Sequence, residues 1–144
     1  MNNRLRNLFF ILGGMIVGMI LNEGIIMLNG KIIPLPPGAD FSSLEKVIAS
    51  MPLLQPIHFL MPFLAHALGT FAGALFAARY TEGTKLRSAI IIGIFFLIGG
   101  ISAAKMIPAP LWFTVTDLVL AYIPFAWLGY FLAQSKIKDA AQKV

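Results

Sequence analysis

The sequence predicts an all-α protein: a bundle of four transmembrane helices with a short amphipathic helix in the first external loop. Four long stretches are almost free of charge, at about residues 8–28, 53–78, 88–107 and 111–133. Each can supply the roughly 20 helical residues that cross a hydrocarbon core of about 30 Å. Only 12% of the 144 residues are charged, about half the share of a soluble domain. Four helices with short connections leave no room for a second domain, so residues 1–144 form one transmembrane domain.

The first helix follows Arg4 and Arg6 directly. No small-x-small cleavage site follows its apolar run, so we interpret it as an uncleaved helix rather than a signal peptide. In the loop that follows, Ser42 and Glu45 have the spacing of a capping box, which predicts a short helix that ends before Pro52. The predicted helices cover about residues 5–28, 53–79, 87–107 and 111–134, with an external loop at 29–52.

Small residues recur every four positions on the first two helices. Such a stripe lets two helix backbones approach closely in a membrane. We expect it to pack either within one chain or across a homodimer. Its members are Gly14 and Gly18 on the first helix, and Ala65, Gly69, Gly73 and Ala77 on the second.

The basic residues predict the orientation. Eight of the eleven would lie on one side and three on the other. By the positive-inside rule, both termini are then cytoplasmic, in a multi-pass protein of the bacterial inner membrane. The basic residues lie at helix ends and form no patch among exposed aromatics, so nucleic acid is not an expected partner and the lipid bilayer is. The cytoplasmic group is Arg4, Arg6, Arg79, Lys85, Arg87, Lys136, Lys138 and Lys143, and the external group is Lys31, Lys46 and Lys105.

Three ionisable residues on different helices form a predicted polar layer. Counted inward from the outer helix ends, Glu23, His58 and Asp117 all lie about 8–9 Å below the outer boundary. Charged groups at such depth are rare and usually have a partner or a role, so we expect these side chains to face one another. Glu23 fits this layer least well on geometry, because it lies about 180° around the helix from Gly14.

Three further polar residues extend this layer. Asn22 and Lys105 are close to the same level, and His66 is deeper, near the midplane. The azimuths of both histidines place them on the small-residue side of the second helix, facing protein. Lys105 offers a cationic partner for either Glu23 or Asp117.

The polar layer supports three chemical interpretations. Two carboxylates and an imidazole at Glu23, His58 and Asp117 suit Zn²⁺, Mn²⁺ or Fe²⁺. A shielded carboxylate beside a histidine can instead relay protons near neutral pH. The third interpretation is structural, since such groups can simply satisfy one another and lock the bundle.

Three classes of function follow from these interpretations. The leading one is a carrier or channel for an ion or small solute, which uses the outward-facing polar layer. The second is an accessory membrane protein that binds another membrane protein or lipid through the proline-rich loop and its short helix. The third is a metal-dependent membrane enzyme. The chain has no cysteine, which excludes thiolate chemistry, and no other pattern assigns a catalytic residue or a cofactor.

Four segments of the chain are similar to those of other proteins: Pro34–Asp40, Gly69–Ala78, Ile107–Phe113 and Pro124–Gly129. On these segments the chain resembles a group of small bacterial integral membrane proteins of similar length. The resemblance implies the same four-helix fold, and it transfers neither an activity nor a site residue.

Overall fold

A computed structural model describes the backbone of residues 2–141 and the side chains of residues 2–134. The predicted all-α class is confirmed, since every regular element in this part of the chain is a helix. Lys136, Lys138 and Lys143, which contribute to the predicted orientation, lie outside the described side chains. The helices are α1 (Asn3–Ile32), α2 (Leu44–Ser50), α3 (Leu60–Tyr80), α4 (Lys85–Met106), α5 (Leu111–Leu120) and α6 (Ile123–Ala141), with two 3-10 helices at Met51–Leu53 and Pro56–Phe59.

Four stretches of helix are long and apolar enough to cross a membrane: Asn3–Ile32, Pro56–Tyr80, Lys85–Met106 and Leu111–Gln134. Their outward faces carry large exposed side chains, such as Phe9, Ile20, Ile98 and Phe131. Leucine, isoleucine and phenylalanine covering an outer surface in this way would face lipid at no cost. The fold is therefore that of a multi-pass membrane protein.

The glycines of α1 lie directly against those of α3. A Cβ atom on Gly14 would come within 2.6 Å of the Gly73 carbonyl oxygen, and one on Gly18 within 2.7 Å of the Gly69 carbonyl oxygen. Side chains at these positions would hold the two helices apart. The predicted small-residue stripe is thus used within one chain, and Ala65 and Ala77 on the same face of α3 are also fully buried.

Helix α3 occupies the centre of the bundle and packs against α1, α4 and α6. Its second close contact is with α6, where a Cβ on Gly129 would come within 2.7 Å of the Phe71 carbonyl oxygen. Helices α4 and α6 meet in the same manner, with Gly93 against Ala126. The core is accordingly built from close backbones and alanines, filled by the larger side chains of Ile92 and Phe96.

One end of the bundle carries the tight turn between α3 and α4. Gly83 adopts a positive φ of 71° there, a conformation that costs glycine little and other residues more. Asn7 of α1 bonds both the backbone of Glu82 and the hydroxyl of Thr84, and Arg6 forms an ion pair with Glu82. These contacts fasten the start of α1 to the turn.

The opposite end, which we call the loop end, carries residues 33–59. Helix α2 forms here as predicted, but Ser43 caps it, with its side chain accepting from the Lys46 backbone N–H at 3.3 Å. The cap therefore falls one residue after the predicted Ser42. The Ser42 hydroxyl instead receives the Lys46 ammonium, which also bonds the Asp40 carboxylate at 2.7 Å.

The fourth span is interrupted, whereas the sequence predicts a single helix over 111–134. Helix α5 ends at Leu120 and α6 begins at Ile123. Pro124 lacks an N–H group, so it cannot bond the Leu120 carbonyl as the next turn of a continuous helix requires. Irregular backbone at membrane depth is tolerated where protein surrounds it, and Ala121 and Tyr122 at this break are both buried.

Candidate functional site

A half-enclosed cavity of about 560 Å³ lies at the loop end, and we call it the loop-end cavity. Its walls come from α1, α3, α4 and α5, and the segment that contains α2 covers it. Volumes of this order are typical of sites for small organic molecules. Most of its lining is apolar and includes Phe41, Val47, Met51, Leu54, Phe59 and Phe113.

A histidine and an aspartate from different spans meet in the wall of this cavity. The His66 Nδ1 atom lies 2.9 Å from each of the two carboxylate oxygens of Asp117. His66 is six residues into α3 and Asp117 six residues into α5, which places both about 9 Å from the start of their helices. Asp117 is only 5% exposed. An N–H at Nδ1 therefore donates to the carboxylate, which leaves Nε2 as the ring atom that can exchange a proton or bind a partner.

Tyr122 completes this group from the break in the fourth span. Its hydroxyl donates to Asp117 Oδ2 at 2.9 Å, and its ring stacks on the His66 ring with centroids 5.7 Å apart. Gly100 of α4 makes the necessary room, since a side chain there would overlap the tyrosine ring. We refer to His66, Asp117 and Tyr122 as the polar triad.

His58 faces protein as predicted but has a different set of partners. Its Nδ1 accepts from the Gln55 backbone N–H at 2.9 Å, and its Nε2 lies 3.2 Å from the Pro34 carbonyl oxygen. With Nδ1 as acceptor, the proton is on Nε2 and is donated to Pro34. The imidazole thus ties the proline-rich segment to the start of the second span, and it forms part of the cavity wall close to the covering segment.

The structure does not bring the predicted polar layer together. Helix α1 continues through Gly24 without a break, so Glu23 points away from the small-residue face and is exposed. Asn22 lies on the other side and packs against Gly69. Lys105 is exposed on α4 and pairs with neither carboxylate.

The exposed position of Glu23 has a simple physical explanation. Glu23 is 17 residues beyond Arg6 (23 − 6 = 17), or about 26 Å along the helix. A side chain that close to the far boundary of a core of about 30 Å can extend its charge toward the headgroups. The expectation that it must find a partner inside the bundle is therefore wrong.

The metal site predicted at Glu23, His58 and Asp117 also has no counterpart. Within residues 2–134, no three His, Asp or Glu side chains are grouped so that they could hold a metal ion. The physical reason is that the three side chains lie apart. Glu23 is exposed on α1, His58 bonds the backbone before α3 begins, and Asp117 pairs with His66.

Two polar residues at this site are not predicted from the sequence. Tyr122 lies mid-span, where a tyrosine hydroxyl needs a hydrogen-bond partner; its position two residues before Pro124 is the signal that could have identified it. Asn29 lies beyond the predicted end of the first helix at residue 28, but α1 continues to Ile32 and buries it in the cavity wall. Asn29 is 5% exposed, and its Oδ1 atom has no hydrogen-bond partner in the described part of the chain.

Fold and site together define a class: a small multi-pass helical membrane protein with a half-enclosed, mostly apolar cavity and a buried imidazole–carboxylate pair in its wall. No protein-family model, curated protein or solved structure matches the chain.

Proposed function

We propose that this protein is a carrier for a small solute in the bacterial inner membrane, with the polar triad as its proton-exchanging contact to the solute. The observation that supports this most is the His66–Asp117 pair. It joins two separate spans, lines a cavity and lies next to an interrupted helix. Ionisable pairs and broken helices near the middle of a membrane are recurrent features of transporters.

The proposed orientation places the loop-end cavity outside the cell. The turn at Gly83 has Arg79, Lys85 and Arg87 nearby, and both arginines of the N-terminus are at the same end. Basic residues accumulate on the cytoplasmic side of membrane proteins. The loop end, with its three lysines, is then external.

The path through the bundle is closed on one side of the triad. Toward the Gly83 turn the core is filled by buried residues such as Ala74, Ala77 and Ile92. A site that is accessible from one face and sealed from the other is what alternating access requires of one of its two states. The cavity corresponds to the externally accessible state in this proposal.

In this proposal the His66–Asp117 pair is the group that exchanges a proton. With Nδ1–H held by Asp117, the His66 Nε2 atom can take up or release a proton as the solute arrives. Protonation makes the pair an ion pair, which strengthens the link between α3 and α5. Solute binding, proton binding and the distance between two spans are thereby coupled.

Accessibility from both membrane faces tests the proposal. The native chain has no cysteine, so Thr114→Cys places a single thiol in the cavity wall. A membrane-impermeant methanethiosulfonate should modify it in right-side-out vesicles and, more slowly, in inside-out vesicles. Val115→Cys is the matched control, since Val115 is 53% exposed on the outer surface and should resist the charged reagent from either side.

Two results would contradict a carrier. Modification of Thr114→Cys from the external face alone would indicate a binding protein whose cavity opens to one side of the membrane only. Equal rates at positions 114 and 115 would mean that the cavity is no wetter than the lipid-facing surface.

The accessory-protein alternative finds less support. It depends on the apolar face of α2 being free for a partner, but Val47 of α2 and the neighbouring Phe41 and Met51 line the loop-end cavity. The apolar face of α2 is therefore already in use within the same chain, as part of the cavity lining.

A further inference from the structure

We infer that a second cavity, at the end of the bundle opposite the loop end, binds the phosphate of an anionic phospholipid such as phosphatidylglycerol. The inference goes beyond the proposed function, because it concerns a different cavity and does not depend on transport. This cavity has a volume of about 620 Å³ and is largely open. Residues 83–87 line it from the turn and the start of α4, and Tyr130 and Gln134 line it from α6; we call it the turn-end pocket.

The charge of the turn-end pocket is positive. Lys85 and Arg87 contribute it, and no aspartate or glutamate is among the described lining residues. Within residues 2–134 neither cation forms an ion pair, and the nearby carboxylate of Glu82 is already paired with Arg6. A cleft lined by charges of one sign attracts a ligand of the opposite sign. A zwitterionic headgroup would also bring an ammonium group, for which the lining offers no carboxylate.

The hydroxyl groups of the pocket have hydrogens to donate. The Tyr130 hydroxyl accepts from the Gln134 side-chain amide, so its own hydrogen is left for another acceptor. The Thr84 hydroxyl accepts from Asn7 Nδ2 at 3.1 Å, and its hydrogen has only a long contact of 3.4 Å to Ser88 Oγ. The pocket therefore presents an ammonium, a guanidinium and two hydroxyls, all of which can donate. A phosphate, whose oxygens accept several charge-assisted hydrogen bonds, matches this set of donors.

The position of the pocket favours a lipid over a free anion. It lies where two membrane spans end, since the third span begins at Lys85 and the fourth ends at Gln134. The lining residue Leu86 is exposed, as are Ile94 further along α4 and Phe131 on α6. A phosphate in the pocket would be at the level of the headgroups, and its acyl chains would follow these apolar side chains into the membrane. Basic pockets between membrane helices are recurrent sites for anionic headgroups.

Native mass spectrometry of the detergent-solubilised protein tests the inference. Dioleoylphosphatidylglycerol and dioleoylphosphatidylcholine are added at equal concentration, and the amount of each lipid retained by the protein is measured. We expect at least a threefold preference for phosphatidylglycerol in the native protein. Lys85→Gln combined with Arg87→Gln should reduce this preference to less than half. Lys85→Arg combined with Arg87→Lys keeps both charges and should retain most of it.

Arg4→Gln combined with Arg79→Gln is the matched control. Both arginines are exposed at the same end of the bundle and do not line the pocket. This variant loses the same net charge as the double glutamine variant of the pocket, and it should keep the preference. Tyr130→Phe removes one donor, keeps the ring and leaves the net charge unchanged. It should lower the retention of phosphatidylglycerol by a smaller factor, which provides a test that does not depend on the folding of the charge variants.

Four outcomes would overturn the inference. They are equal retention of the two lipids, a preference that survives the loss of both Lys85 and Arg87, an equal loss in the Arg4 and Arg79 control, and full displacement of the lipid by excess inorganic phosphate. The third would assign the preference to overall charge, and the fourth would assign the pocket to a free anion. None of them bears on transport, because the cysteine experiment probes the loop-end cavity.

Discussion

The ring of Tyr122 lies where a side chain at Gly100 would be, so that a Cβ atom on this glycine would come within 2.8 Å of the tyrosine Cε2 atom. The contact joins α4 to the break in the fourth span. The tyrosine is 1% exposed, and its hydroxyl donates to Asp117. The polar triad therefore depends on a residue that takes no part in its chemistry.

Gly100→Ala should lower the free energy of unfolding by about 1–3 kcal/mol, the usual cost of overpacking a filled core. Gly99 is a matched control in the same turn of α4, because nothing lies within 4 Å of a Cβ at that position. Gly99→Ala should stabilise α4 slightly, by up to about 1 kcal/mol from helix propensity. Unfolding by SDS, followed by circular dichroism, measures both. Equal effects of the two substitutions would contradict the described packing of Tyr122.

Gly14→Ala should separate α1 from α3 and also cost about 1–3 kcal/mol. The new methyl group would meet the Gly73 carbonyl oxygen at 2.6 Å, whereas Gly24→Ala on the same helix would enter open space. The comparison requires only the stability of both variants in one detergent. A neutral Gly14→Ala would show that α1 does not pack on α3 through this face.

His66 and Asp117 should be energetically coupled. A double-mutant cycle with His66→Gln and Asp117→Asn should give an interaction energy between about 0.6 and 1.7 kcal/mol, the mean and the maximum of such cycles for polar pairs between membrane helices. His58→Gln combined with Asp117→Asn is the control, since His58 bonds the backbone of Gln55 and Pro34. That second pair should be additive. Additivity of the first pair would argue against the triad.

The ion pair at the start of α2 should make this helix sensitive to acid. A hydrogen bond from Lys46 lowers the pKa of Asp40 from 3.8 to about 2. Because the folded pKa is the lower one, the stabilisation is complete above about pH 3.8 and is lost as the pH falls toward 2. Amide protection factors of residues 46–50 should decline over that interval.

Two variants isolate the contribution of Asp40 to this decline. Asp40→Asn should lower the protection at neutral pH and remove the dependence on acid. Glu45→Gln is the control, because it removes the carboxylate that lies within α2 itself and should leave the dependence in place. Persistence of the full acid effect in Asp40→Asn would assign it to another group.

The four spans and the glycine stripe could be predicted because each depends on one helix at a time. Charge-free length defines a span, and a spacing of four places Gly69 and Gly73 on one face. Whether this face meets α1 of the same chain or of a second copy depends on the connecting loop and the rest of the bundle. The sequence pattern alone leaves that open.

The partners of Asp117 could not be predicted because they depend on how two helices begin. Counting inward from residue 53 assumes a regular helix, but 3-10 turns and Pro56 delay α3 to Leu60. His58 therefore bonds the backbone before the helix starts, and His66 arrives at the level of Asp117. Tyr122 enters only through the break before Pro124, which changes the direction of the chain at that point.

The break in the fourth span leaves α5 as a short, separate helix. Its ten residues carry Asp117 and are about 15 Å long. The break at Ala121 and Tyr122 separates them from α6, which packs closely on α3 at Gly129. Tilting of α5 would shift the aspartate relative to His66 while leaving the half of the span that packs on α3 in place.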